Sequence, residues 1–225
     1  MLKVLPAVVF ALLLPTTALA ETPASAGDIS AARAEASRLI ARAHAEDLFT
    51  NITTGATARV RHNRSGLVCE FTPGAQDNAI LIFDQAGTPI TRGDDVGCNA
   101  PQAGISHTLY ATRYRPAMSA RSALDQAIGA IRHRWPDARP YDGVTTDIST
   151  DRNGAAALPR TLSGHYVVSI DGVDNYTSAR IADYGGWIFM QRLTAPMDQA
   201  TMGQLMAGMI WNAVLIDIVD HGQAI

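Results

Sequence analysis

Leu162-Ser-Gly-His-Tyr-Val-Val-Ser-Ile-Asp171-Gly-Val-Asp-Asn175-Tyr-Thr-Ser-Ala-Arg-Ile-Ala-Asp-Tyr184-Gly-Gly186-Trp-Ile-Phe-Met-Gln-Arg-Leu-Thr194 is the stretch that decides the fold. Three runs rich in β-branched and aromatic residues, about 162–171, 176–184 and 186–194, are parted by two clusters of turn residues. Residues of the first kind suit a half-buried pleated surface, and Asp, Asn and Gly tolerate the backbone a tight turn needs. The spacing predicts a three-stranded antiparallel meander. Pro196 closes it, and an apolar helix is expected over about 198–219. That helix carries Met202, Leu205, Met206, Met209, Ile210, Trp211, Val214, Leu215 and Ile218 around most of its circumference, so it must be largely buried or docked. Gln204, Asn212 and Asp217 argue for burial against the sheet over a bilayer.

Working outward, Ile29, Ala32, Ala36, Leu39, Ile40 and Ala43 recur at three- and four-residue steps and predict a helix over about 29–48, capped by Asp28 or Ser30. Ala58–His62 alternates, Asn63-Arg-Ser-Gly66 reads as a turn and Leu67–Phe71 resumes the strand, which makes 58–71 a hairpin. Further strands are expected at 78–83 and 107–115, the second ended by Pro116. A helix over 119–135 follows, capped by Ser119 or Ser122 and stopped by Pro136. Loops around a weak strand near 144–148 lead into the meander. The expected class is α+β: an antiparallel sheet of six or seven strands with packed helices, including the buried C-terminal one.

The N-terminus reads as a leader. Lys3, an apolar core from Val4 to Leu14, and Ala18 and Ala20 before Glu21 make the three parts of a cleavable signal peptide over 1–20, leaving 21–225 as one domain. The apolar run is short for a membrane span, so no integral span is expected after cleavage. Cys69 and Cys98 are the only cysteines, and in an oxidising compartment they predict one disulfide. The expected location is periplasmic or secreted. Lys3 is the only lysine, so the mature chain sets 17 arginines against 21 acidic residues. That mildly acidic balance offers nothing general to nucleic acid. Lacking lysine, the mature chain has no Schiff base, Ser–Lys pair or P-loop lysine. With two cysteines there is no Cys-rich zinc or iron–sulfur site. No cofactor or metal is expected.

Three constellations remain. His62 and Ser65, with Arg113, form a candidate polar site beside the first hairpin, where an acidic pair at Asp94-Asp95 completes a sketch of a hydrolase; no G-x-S-x-G elbow supports it. Arg59, Arg61 and Arg64 near the hairpin, and Arg113 and Arg115 on one face of the strand 107–115, would form an anion-binding guanidinium patch if those strands pair. Asp171–Asn175 and Gly93–Asp95 resemble fragments of calcium loops but lack the spacing and closing Glu, and read as turns. His62, His107 and His165 lie on or beside strands without ligand spacing.

His62-Asn-Arg-Ser-Gly-Leu-Val-Cys-Glu-Phe71, followed by Gly93-Asp-Asp-Val-Gly-Cys98, resembles a signature of uncharacterised exported bacterial proteins. The element order, with a strand running into Arg115-Pro116, the helix 119–135, the meander and the closing helix, is similar to the PsbP-like and DcrB-like α+β fold. That resemblance implies binding or assembly factors more than enzymes. Three functions stay open: a non-catalytic periplasmic accessory protein with an envelope partner or small ligand, an envelope hydrolase, and a small-anion binder.

Overall fold

The computed structural model describes residues 24–83, 91–102, 104–145 and 157–221. The expected leader lies outside these residues, as do 146–148 of the expected strand 144–148; Val144 and Thr145 are not in a strand.

The first helix, α1 (Ala26–Arg42), starts earlier than its apolar periodicity indicates. Its cap is Ser25, not Asp28 or Ser30: Ser25 Oγ accepts the Asp28 N–H while the Asp28 carboxylate accepts the Ser25 N–H, a reciprocal capping box. It also stops earlier, because His44 takes a left-handed φ of 49° and the chain turns to bury Ala45, Leu48 and Phe49. What reads as the last turn of a helix is instead a turn leading to a strand, β1 (Phe49–Asn51).

β1 joins β2 (Ala58–His62) and β3 (Val68–Phe71) in an antiparallel three-stranded sheet of its own, in the order β1-β2-β3. The second sheet comprises β4 (Ala79–Ile82), β5 (Asp95–Asn99), β6 (Ser106–Thr112), β7 (Arg139–Pro140), β8 (Leu162–Ile170), β9 (Val173–Tyr184) and β10 (Trp187–Pro196). Its order is β4-β5-β6-β10-β9-β8-β7, every pair antiparallel. The meander is therefore β8-β9-β10. Its first turn is two residues, Asp171 and Gly172, at φ 52° and 78°, the left-handed pair that matches the twist of a hairpin. β6 ends at Thr112, short of the expected 115, and β7 sits within a stretch that reads as loop.

Both faces of the large sheet are covered. α2 (Ala120–Arg134), capped by Ser119 Oγ on the Ser122 N–H, packs Ala123, Leu124 and Ala127 onto Ala179, Ile181 and Ile188. The other face buries Trp187, Phe189 and Ala182 beneath α1, the small sheet and α3 (Ala200–His221), which follows a single 3₁₀ turn at Met197–Gln199. The stretch Met197–His221 is long and apolar enough to cross a membrane, yet half of its most apolar window is buried inside the fold, as a core helix requires. Trp211 Nε1 donates to Thr161 Oγ1 at 2.8 Å, and Met202 and Met209 point outward.

A disulfide between Cys69 on β3 and Cys98 on β5 ties the two sheets together. One residue along from Cys98 the sheets tolerate no side chain: a Cβ on Gly97 would stand 2.6 Å from the Leu109 carbonyl oxygen and 3.1 Å from the Tyr110 ring. Since the obstacle is backbone in the neighbouring strand, Gly97→Ala should cost about 1–3 kcal/mol, read as a lower urea midpoint with an unchanged slope.

Candidate functional site

His62 closes β2, and Ser65 lies in the turn that follows. His62 Nδ1 accepts the Ser65 N–H at 3.2 Å and sits 2.8 Å from Ser65 Oγ, which itself accepts the Leu67 N–H. With Nδ1 an acceptor, the neutral ring carries its proton on Nε2, and that nitrogen is sealed without a hydrogen-bond partner. The ring is wholly buried between Phe49 (5.1 Å) and Trp187 (5.6 Å). Burial, then the Arg64 charge, pushes its pKa down to about 4, against a smaller opposing pull from Asp94. A serine donating to a histidine is the geometry of an activated nucleophile. Here both side chains are buried, and the contact pins a hairpin turn.

Two of the five singled-out arginines lie apart from the others. Arg59 is held by Glu70 at 2.8 Å and Asp217 at 3.0 Å, and Arg61 flanks it on the half-buried face of β2. The condition set for one patch fails, since β2 and β6 belong to different sheets and Arg113 and Arg115 follow β6 instead of lying on it. Arg64 and Arg115 do converge, on the buried carboxylate of Asp94 at 2.5 and 3.6 Å. Asp94 also accepts the Arg113 N–H through its carbonyl oxygen at 2.6 Å. The guanidiniums of Arg64 and Arg113 lie 5.7 and 6.0 Å from the Trp187 ring centroid. His62, Ser65, Arg64, Arg113 and Arg115 thus share one neighbourhood around Asp94 and Trp187. His107 and His165 do not join a metal set: among the described residues no three His, Cys, Asp or Glu side chains form one. His165 instead meets Tyr176 Oη and Ser163 Oγ.

A second place escapes sequence reasoning. A cavity of about 220 Å³ opens between β3, β5, β6 and α3. Val68, Phe71, Leu109, Ile210 and Val214 form apolar walls, and Cys98 of the disulfide adds to them. Glu70 and Asp217, the pair that holds Arg59, also line it. Deeper in lies His107, 2 % exposed. Behind it runs a buried polar chain. Arg180 donates to Gln191 Oε1 at 3.1 Å, and the Gln191 amide nitrogen reaches the Ala207 carbonyl and His107 Nε2, each at 2.9 Å. Burial, then the Arg180 charge, lowers the His107 pKa to about 4. The only sequence signal for this chain is a polar residue at Arg180 and at Gln191 in the alternate positions that otherwise carry Ala182, Trp187, Phe189 and Leu193.

No family model matches this chain. No curated protein matches it either. Among solved structures it is similar to a Pseudomonas aeruginosa protein of unknown function described as a putative regulator, at 11 % identity and a TM-score of 0.37, over 69 % of this chain and 93 % of that one. It is also similar to LpqN of Mycobacterium tuberculosis, described as involved in cell envelope biogenesis, at 15 % identity and a TM-score of 0.29, over 71 % of this chain and 86 % of the other.

Proposed function

We propose that this chain acts outside the cytoplasm, after cleavage of its leader behind Ala20, as a non-catalytic binding or accessory protein. The observation that carries the reading is the cavity under α3, which combines apolar walls with a few convergent polar groups, the ordinary composition of a small-molecule site. The disulfide suits an oxidising compartment. The resemblance in element order to PsbP-like and DcrB-like proteins points the same way. Against a hydrolase stands the burial of Ser65 and His62, since a nucleophile must come within about 3 Å of the atom it attacks.

The test is mass spectrometry on protein purified from the envelope of its own host, native and then denaturing. A native mass above the denatured one by a small molecule is expected, and that increment should vanish in Ala213→Trp, which places a large ring at the cavity wall. Ester or peptide hydrolysis abolished by Ser65→Ala would replace this reading with the hydrolase. An anion-binding reading has one specific support, the guanidiniums of Arg64, Arg113 and Arg115 set around a single Asp94 carboxylate and the Trp187 face. It predicts stabilisation by millimolar phosphate that disappears in Arg113→Ala.

A further inference from the structure

We propose that the cavity takes a small uncharged apolar molecule whose carbonyl or hydroxyl oxygen accepts the Nδ1–H of His107. The assignment deepens the binding reading of the cavity and rests on it.

Arg180 can only donate, so the atom of Gln191 facing it is the amide oxygen. The Ala207 carbonyl can only accept, so the atom facing it is the amide nitrogen. Two contacts with opposite requirements therefore leave Gln191 one orientation. Its second N–H then points at His107 Nε2, which must be the acceptor. A neutral imidazole has one donor and one acceptor nitrogen, so the proton of His107 sits on Nδ1. The ring stays neutral throughout the range of an envelope, since its pKa lies near 4.

Nδ1 has no hydrogen-bond partner among the described residues and is not one of their sealed polar atoms, so it keeps accessible surface where His107, otherwise 98 % buried, lines the cavity. Open to the cavity, that N–H has only water to donate to in the free protein, and an oxygen arriving with a ligand takes the place of that water. The cavity sets the rest of the specification. A 150 Å³ apolar cavity accommodates benzene, so 220 Å³ holds roughly nine non-hydrogen atoms. Two lining carboxylates, Glu70 and Asp217, share a single guanidinium, Arg59, and the excess negative charge repels an anionic ligand.

Three probes of nine non-hydrogen atoms each separate these requirements: acetophenone, cumene, which has the same heavy-atom branching without the oxygen, and benzoate. Titration of the wild-type protein is followed by affinity and by the ¹⁵N resonances of the His107 imidazole. The expected result is acetophenone bound about tenfold more tightly than cumene and benzoate weaker still. Nδ1 should appear protonated in the free protein and move on adding acetophenone, with Nε2 still unprotonated. In His107→Phe the preference for acetophenone over cumene should disappear. Equal binding of acetophenone and cumene with no movement at Nδ1, or a free ring protonated on Nε2, overturns the assignment to His107 and leaves the cavity a binding site. Benzoate binding tightest overturns the uncharged ligand. Failure of all three to bind removes the cavity reading itself. The wild-type resonances decide the matter even if His107→Phe does not fold.

Discussion

Stability should fall steeply between pH 6.5 and pH 4, by about 3 kcal/mol for each of two buried histidines. His62 and His107 both have pKa values lowered from 6.5 to about 4 in the folded chain, with burial as the main cause. Unfolded, each ring takes up a proton near pH 6.5; folded, neither does until about pH 4. The unfolded state therefore binds more protons in that window, and stability rises with pH through it. The contribution is fully present above pH 6.5, is lost progressively on acidification, and is exhausted below pH 4. The interval between 6.5 and 4 corresponds to ~3 kcal/mol per ring at 1.36 kcal/mol per pH unit. Glu35 and Asp47, whose carboxyls are held low first by hydrogen bonds from Arg38 and Arg92, lose their smaller contributions at still lower pH. Asp95 runs the other way, because burial raises its pKa and protonation relieves it. Urea denaturation at pH 7.5, 6.0, 5.0 and 4.5 measures the slope. His107→Gln should start less stable and lose about half of the pH dependence; a wild-type midpoint that stays flat from pH 7.5 to 4.5 would contradict the neutral burial of both rings.

Replacing both cysteines, Cys69→Ala with Cys98→Ala, should remove about 3–4 kcal/mol. The bond spans 29 residues, and a loop of that length frees roughly 3.6 kcal/mol of chain entropy in the unfolded state when opened. For a chain of this size that corresponds to a melting temperature lower by about 10 °C. The position of the bond adds a second expectation. Cys98 is part of the cavity wall, and the bond is the covalent link between the small sheet and the large one. The double variant should consequently bind any cavity ligand less tightly even at temperatures where it is folded. Calorimetry with and without reductant checks the first effect, and the native-mass increment checks the second. A melting temperature indifferent to reductant would count against the bond as a main stabiliser.

How far the sequence discloses this molecule depends on the range of the interaction concerned. The meander is legible because its information is local: Asp171-Gly172 and Gly185-Gly186 supply left-handed turn backbone between strands of the right composition. The end of α1 is not, because Ala43-His-Ala-Glu46 continues a helical composition while the burial of Ala45 and Leu48 decides otherwise. The three-residue β1 is too short to show any period. Assignment of strands to two sheets is a long-range outcome, and with it goes the fate of the arginines: Arg59 and Arg64 are five residues apart yet answer to Asp217 and Asp94. The contact of His62 with Ser65 spans three residues and is visible in the sequence. The chain from Arg180 through Gln191 to His107 exists only because strand register sets Arg180 opposite Gln191, and Gln191 opposite Leu109, on one face.

The bond between Cys69 and Cys98 also makes a closed covalent ring of the chain between them, and β4 and most of β5 lie inside it. A protease that cuts once within the ring releases nothing. The product is a single molecule heavier by one water, its two ends still joined through sulfur, and it separates into fragments only when reduced. A cut outside the ring divides the protein at once. Among the described strands, β4 and most of β5 are therefore the part of the molecule that can be nicked and still remain attached.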